Sequence, residues 1–328
     1  MFMHEPMHGF VGTLIYLALL TTPIEGPPLP EPLATTTESE SFTLQEDILA
    51  EKHYQTHLAI SGGTSAFVLT LASLAWWKDV GFRGFTFKES GGFQRWTYAG
   101  GSDKLGHFYA NYIGVKALHS LYQSAGLSHH RALQLATMMT AFLANTVEII
   151  DGFTPHRFEY GDVIGNLLGL ATANLFIRYP KLDNAIGFRI SYLPSDYFYK
   201  REKSPIKIAN DYSGQTYFAD IKWKGFFEAL GSSPGFARYF LSGIHYSTLH
   251  YRPKVDTLHK ERQLGFHLGL ALHEILRGES NGPRLNGFTK FTKYFALPFL
   301  QIGVQKDLNS KQWAINFGLA NRFKMPLN

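Results

Sequence analysis

The runs SDKLGHFYANYIG at residues 102–114 and YGDVIGNLLG at residues 160–169 decide how this chain must fold. In the first, Asp103 and His107 stand four apart on one helical face, continued by Asn111 and Gly114, with Lys104 beside them. In the second, Asp162, Asn166 and Gly169 follow at spacings of four and three, again on one face. Glu148, Asp151 and Arg157 lie between the two runs, in sequence that is otherwise strongly apolar. A charge at the centre of an apolar helix costs roughly 2.5–3.5 kcal/mol on insertion scales. Four or five such groups placed independently would cost about as much as a domain's whole net stability of about 5–15 kcal/mol. One shared polar site, in which the groups satisfy each other, is the economical arrangement. Gly165 and Gly169 remove side chains where a neighbouring helix can come close.

Working outward, the pattern predicts four helices. Ser102 is placed to cap one that runs to about Gln123, with Asp103 in its first turn, where negative charge is favoured. Ser128 is placed to cap the next, Arg131 to Ile150, and Asp162 to about Arg178 forms another, stopped by Pro180. Upstream, Leu58 to Trp77 holds no charge and ends in Trp76-Trp77-Lys78. It reads either as a spanning helix with an interfacial Trp belt or as a buried bundle helix. The Gly- and aromatic-rich segment 79–101 reads as a loop that could lie at an interface.

From about Gly187 the period changes to two. Leu264, Phe266, Leu268, Leu270 and Leu272 alternate with small or polar residues, as do Trp313, Ile315, Phe317 and Leu319. Further strand-like runs lie near 188–193, 215–223, 239–250 and 293–305. Six strands fall short of the roughly eight a single-chain membrane barrel needs. The expected fold is therefore α+β: a membrane-associated four-helix bundle followed by a C-terminal antiparallel sheet, partial-barrel-like. The expected organisation is a signal peptide or anchor over 1–22, a Pro/Thr/Ser/Glu linker over 23–47, helices over 48–180 and strands over 181–328.

Composition narrows the class. Charged residues make up 17% and aromatics 15%, a balance that suits a membrane or envelope protein better than a cytosolic enzyme. A net charge of +5, with no basic run interleaved with stacking aromatics, speaks against nucleic acid as a partner. With 0 cysteines there is no disulfide, thiolate metal site or cysteine nucleophile.

The polar set offers three kinds of chemistry. A carboxylate such as Asp103 can fix the tautomer of His107 and make it a general base or metal ligand. Glu148 and Asp162 would then serve as acid or metal ligands, making His107, Asp103, Glu148 and Asp162 the candidate catalytic set. Lys104 and Arg157 could hold a phosphate or carboxylate, with Asn166 and Asp151 as further ligand-binding groups. A divalent metal would also suit these N and O donors. Equally, buried Asp–Lys, Asp–His and Arg–Glu pairs can fix helix register and catalyse nothing. His129 and His130 read as exposed helix-start residues. His267 and His273, alternating with leucines, read as a packed polar layer rather than a metal site.

The run Asp103-Lys-x-x-His107, Glu148-x-x-Asp151, Arg157, Asp162-x-x-x-Asn166-x-x-Gly169 resembles the VanZ-like superfamily signature and is most similar to the YfiM-like family of uncharacterised periplasmic or outer-membrane proteins. VanZ-like proteins usually carry Gln where this chain has Asp151, which favours the YfiM-like branch. Members of that branch are described as lipoproteins, an anchor this cysteine-free sequence cannot supply. The resemblance implies a bacterial cell-envelope protein, with the outer membrane or periplasm favoured over the inner membrane. Its partner would be a membrane lipid or an envelope glycan. Two readings stay open: a structural, accessory or headgroup-binding protein, and a hydrolase or transferase acting on a phosphate-bearing lipid with His107 as base.

Overall fold

The computed structural model describes residues 38–88, 91–195, 198, 205–251, 259–277, 283–297, 300–317 and 324–327. The expected signal or anchor over 1–22, and the linker up to residue 37, lie outside them. Helix α1 (Glu38–Ala72) begins inside the segment expected to be linker and closes in a short π-helical turn, Ser73–Trp77. Helices α2 (Ser102–Ser124), α3 (His129–Gly152) and α4 (Tyr160–Arg178) follow within a few residues of their expected bounds.

The expected four-helix bundle is a core of three, with α1 laid along it. Tyr112, Val115, Leu118 and Tyr122 of α2 bury against Ala132, Leu133 and Ala136 of α3 and against Leu170, Ala173 and Phe176 of α4. Among the described residues of α1, Ile60 packs against this core, His57 lies edge-on to Tyr122, and Ser61 Oγ bonds the Tyr122 hydroxyl at 2.7 Å. Residues 51–77 and α3 are both long and apolar enough to cross a membrane, but α3 is much the more buried of the two. The Trp pair ending the first span does not form a free interfacial belt. Trp77 is buried and donates to Asp151 Oδ1 at 2.7 Å, and Trp76 donates to Asn210 Oδ1 at 2.8 Å.

The expected close approach of α2 and α4 is present. A Cβ on Gly169 would sit 2.2 Å from the Phe108 carbonyl oxygen, and one on Gly165 would sit 2.8 Å from that of Lys104. Neither serine caps its helix with its side chain. Gly101, in the left-handed region at φ 98°, is the cap residue of α2, and Ser102 instead bonds Thr248 Oγ1 across to the sheet at 2.9 Å.

The second half is one antiparallel meander of seven strands in sequence order. Two-residue strands β1 (Phe87–Lys88) and β2 (Phe158–Glu159) pair separately in the helical half. The meander comprises β3 (Ile186–Tyr192), β4 (Gln215–Lys222), β5 (Phe240–Leu249), β6 (Glu261–Leu270), β7 (Gln301–Asp307), β8 (Trp313–Phe317) and β9 (Lys324–Leu327). Six were expected. The seventh, β9, is four residues long and contains Pro326, so it carries no alternation to read and is tolerated as an edge. The run expected as strand from 293 is first the end of a helix, Pro283–Tyr294, and only then β7.

Polarity across the sheet is inverted relative to a soluble protein. Along β6, Gln263, Gly265, His267 and Gly269 are buried, while Leu264, Phe266, Leu268 and Leu270 are exposed, Phe266 by 68%. Ile244 of β5, Ile302 and Val304 of β7, and Met325 of β9 extend the same exposed apolar face. The bundle joins this sheet at β3 and β4, where Phe188 packs edge-on against Phe108 and Tyr112, and Tyr217 against Tyr109.

The α2–α4 approach makes a direct prediction. Gly169→Ala drives a methyl into backbone and is expected to cost about 1–3 kcal/mol, as overpacking does. Gly62→Ala, where nothing lies within 4 Å, is expected to be neutral or stabilising. Thermal unfolding of both variants in detergent checks this, and equal melting temperatures would refute the packing argument.

Candidate functional site

The polar groups meet where the first turns of α2 and α4 and the end of α3 converge. The Lys104 ammonium lies 2.8 Å from Asp103 Oδ2 and 2.7 Å from Asp162 Oδ1, and bonds Glu159 Oε2 as its third partner. Tyr98 donates to Asp103 at 2.6 Å, and Lys88 pairs with the other Glu159 oxygen at 2.9 Å. This last pair exists because β1 and β2 run side by side, Lys88 opposite Glu159.

One turn along α2, the His107 ring lies between two carboxylates. Its Nδ1 is 3.2 Å from Glu148 Oε1 and 3.1 Å from Asn166 Oδ1, and its Nε2 is 3.4 Å from Asp162 Oδ1. Asn166 also donates to Glu148 Oε1 at 3.3 Å and accepts from Asn111 Nδ2 at 2.6 Å.

Burial and mutual repulsion set the proton affinities. Burial, reinforced by Asp162 and Asp151 and opposed by His107, pushes the Glu148 carboxyl up to about 8. Burial raises Asp162 to about 6 against the pull of His107 and Lys104. For His107, burial works against the charge, yet Asp162, Glu148 and Asp103 outweigh it and raise the imidazole above its ordinary value. At Glu159, burial is overcome by Lys104 and Lys88, and the carboxyl is held low.

The cluster forms the floor of a cavity of about 1090 Å³, whose lining includes His107, Asp162, Glu159 and Asp151 together with Lys78, Lys88, Arg157 and Lys260. Thus Asp103, Lys104, His107, Glu148, Asp162 and Asn166 come together as expected from their spacing. Arg157 does not join the buried cluster. Its exposed side chain lines the cavity, and its backbone takes a left-handed φ of 69° while its N–H donates to Asp151 O at 2.9 Å. Asp103 does not orient His107: it holds Lys104 and Tyr98, and Glu148, Asp162 and Asn166 take the ring. Lys104, with its three donors facing three carboxylates, has none left for a phosphate.

Sequence reasoning missed Glu159 and Tyr98. Glu159 stands three residues before Asp162 at the helix entry, a spacing that could have flagged it. Tyr98 sits in an irregular loop with no periodic signal. Far from this site, His267 is buried and meets Asp220 at 2.8 Å, a carboxylate supplied from β4 and so absent from its own strand. No metal-ligand set includes it among the described residues.

Residues 89–178 match the model of a family described as predicted periplasmic lipoprotein (DUF2279). That segment contains the buried cluster in full, from Asp103 to Asn166, and stops before the sheet. It is therefore similar to an uncharacterised periplasmic family, in keeping with an envelope location. No curated protein and no solved structure matches the chain.

The raised groups make stability depend on pH with a definite sign. Glu148, Asp162 and His107 all bind protons more tightly when folded, so the native state carries more protons than the unfolded chain between about pH 4.5 and 8. Their contribution is full at the acid end of that window and is lost as pH rises, by up to about 1.4 kcal/mol per pH unit for one linked proton. The melting temperature of the parent protein relative to Glu148→Gln is expected to fall from pH 5 to pH 8 as this contribution is lost, while His245 and His273, held low by burial, act on both proteins alike. Parallel profiles for the two proteins would contradict the assignment.

Proposed function

We propose that this is a membrane-associated protein of the bacterial envelope, on the outer-membrane or periplasmic side, that binds a phosphate-bearing lipid headgroup in the cavity above His107 and Asp162. The carrying observation is the cavity itself, which His107 lines and in which Lys78, Lys88, Arg157 and Lys260 stand among the carboxylates Asp79, Asp151, Glu159, Asp162 and Asp211. Lys104 is neutralised within the cluster and Lys88 is paired with Glu159, so Lys78, Arg157 and Lys260 are the cations a phosphate would meet. The inverted sheet supports membrane contact, since an apolar outer face over a polar interior is the pattern of lipid-facing strands. In this reading residues 51–77 of α1 enter the bilayer while α3 stays within the bundle. An envelope glycan would meet the same polar floor but has no need of the basic wall.

A second reading, hydrolysis or transfer at a phosphate-bearing lipid, is favoured by one observation. His107 keeps 29% of its side chain exposed and lines the cavity, while Glu148 behind it is only 2% exposed. His107 would act as base and Glu148 or Asp162 as acid.

Vesicle flotation tests the binding reading. The protein is expected to prefer phosphatidylglycerol over phosphatidylcholine vesicles. Near an anionic surface each basic residue contributes about 1 kcal/mol, so Arg157→Ala with Lys260→Ala is expected to weaken that preference by roughly thirtyfold. Unchanged binding would sink the proposal. Release of headgroup phosphate that disappears in a folded His107→Gln variant would instead support catalysis.

A further inference from the structure

Two sets of three donor residues lie close enough to share a cation. They are Asp103, Glu159 and Asp162, and His107, Glu148 and Asp162; within each, one ligand atom per residue lies within 4.8 Å of the others. The first set already encloses a cation, the Lys104 ammonium. The second shares Asp162, and with it Lys104 at 2.7 Å, but its Glu148 meets no lysine or arginine among the described residues. Around it four carboxyl groups, Asp103, Glu148, Glu159 and Asp162, are met by three basic groups, Lys88, Lys104 and His107. Beside the set, Asn111 is only 5% exposed, and its nitrogen is committed to His107 O at 2.9 Å and Asn166 Oδ1 at 2.6 Å. Its own oxygen is buried with no donor. Such a group is normally satisfied in a native interior.

The geometry points to a divalent-cation site at His107, Glu148 and Asp162, for an ion of the Mn²⁺ or Zn²⁺ type. This deepens the headgroup reading and rests on it, because the ion would put positive charge at the cavity floor where a phosphate oxygen arrives. One imidazole with two carboxylates suits these ions better than Mg²⁺, which favours oxygen alone. Metal–donor bonds of about 2.0–2.2 Å set neighbouring ligands roughly 3–4 Å apart. His107 Nδ1 stands 3.2 Å from Glu148 and Nε2 3.4 Å from Asp162, and one ring nitrogen lies within 4.8 Å of both carboxylates. One ring nitrogen would bind, and the other would donate to a facing oxygen, as metal-bound histidines do. Three protein ligands beside an open cavity leave a position for water or phosphate.

The test uses the full chain in detergent, stripped with chelator and dialysed against Mn²⁺ or Zn²⁺ without lipid. Bound metal is read by mass spectrometry and by the Mn²⁺ paramagnetic resonance signal. A single ion per chain is expected. Glu148→Gln keeps the shape and still accepts from Asn166, and is expected to weaken binding by about tenfold or more. His129→Gln, on the far end of α3, is expected to bind as the parent does. A folded parent protein that takes up no ion, or a Glu148→Gln variant with undiminished affinity, overturns the site. Phosphatidylglycerol binding is measured separately on stripped and loaded protein. Ion uptake without lipid binding defeats the headgroup reading alone; lipid binding without ion uptake defeats the cation site alone.

Discussion

A single buried ammonium organises the helical half of this protein. Lys104 brings together Asp103 of its own helix, Glu159 of β2 and Asp162 at the start of α4. Buried charges tolerate no missing partner, because removing one leaves the others desolvated and unanswered, at a cost of about 3–5 kcal/mol. The ion cluster therefore fixes the entry of α4 relative to α2, and Gly165 and Gly169 let the two helices close onto each other. With that distance set, His107 falls between Glu148 and Asp162 and has no other place to go.

The same cluster separates two roles that the residue types alone would confuse. Lys104 and Asp103 are occupied by each other, by Tyr98, Glu159 and Asp162. His107 and Asp162 line the cavity, with Glu148 buried behind the imidazole. The end of the long α1 helix closes on this region through Trp77 to Asp151, and His156 reaches back to the Trp76 carbonyl at 3.1 Å. The end of a long apolar helix is thereby joined by hydrogen bonds to residues that line the cavity.

Across the sheet, the polar interior is held by side-chain ladders rather than apolar packing. Arg189 and His267 share Asp220, and Gln305 links His245, Gln263 and Asn316. Each member bonds another, while His245 Nδ1, His267 Nδ1 and Asn316 Oδ1 stay without a hydrogen-bond partner. Its apolar counterpart, led by Phe266, faces outward. An exposed apolar face of this extent is the kind of surface that marks a contact site.

The chain's own order of residues determined the helices, the period-two strands and the requirement that Asp103, Lys104, His107, Glu148, Asp162 and Asn166 meet. These follow from local periodicity and from the cost of an isolated charge, neither of which needs distant contacts. Tertiary structure decided the pairing within the cluster. Asp103 and His107 share a helical face, yet Asp103 turns to Lys104 and Tyr98, because those partners arrive from loops whose path no periodicity records. Glu159 joined for the same reason, delivered by a two-residue parallel pair. Tertiary structure also decided which face of the sheet is covered. Alternation shows that two faces differ, but their direction depends on where the helices pack, and that depends on contacts between residues far apart in the chain.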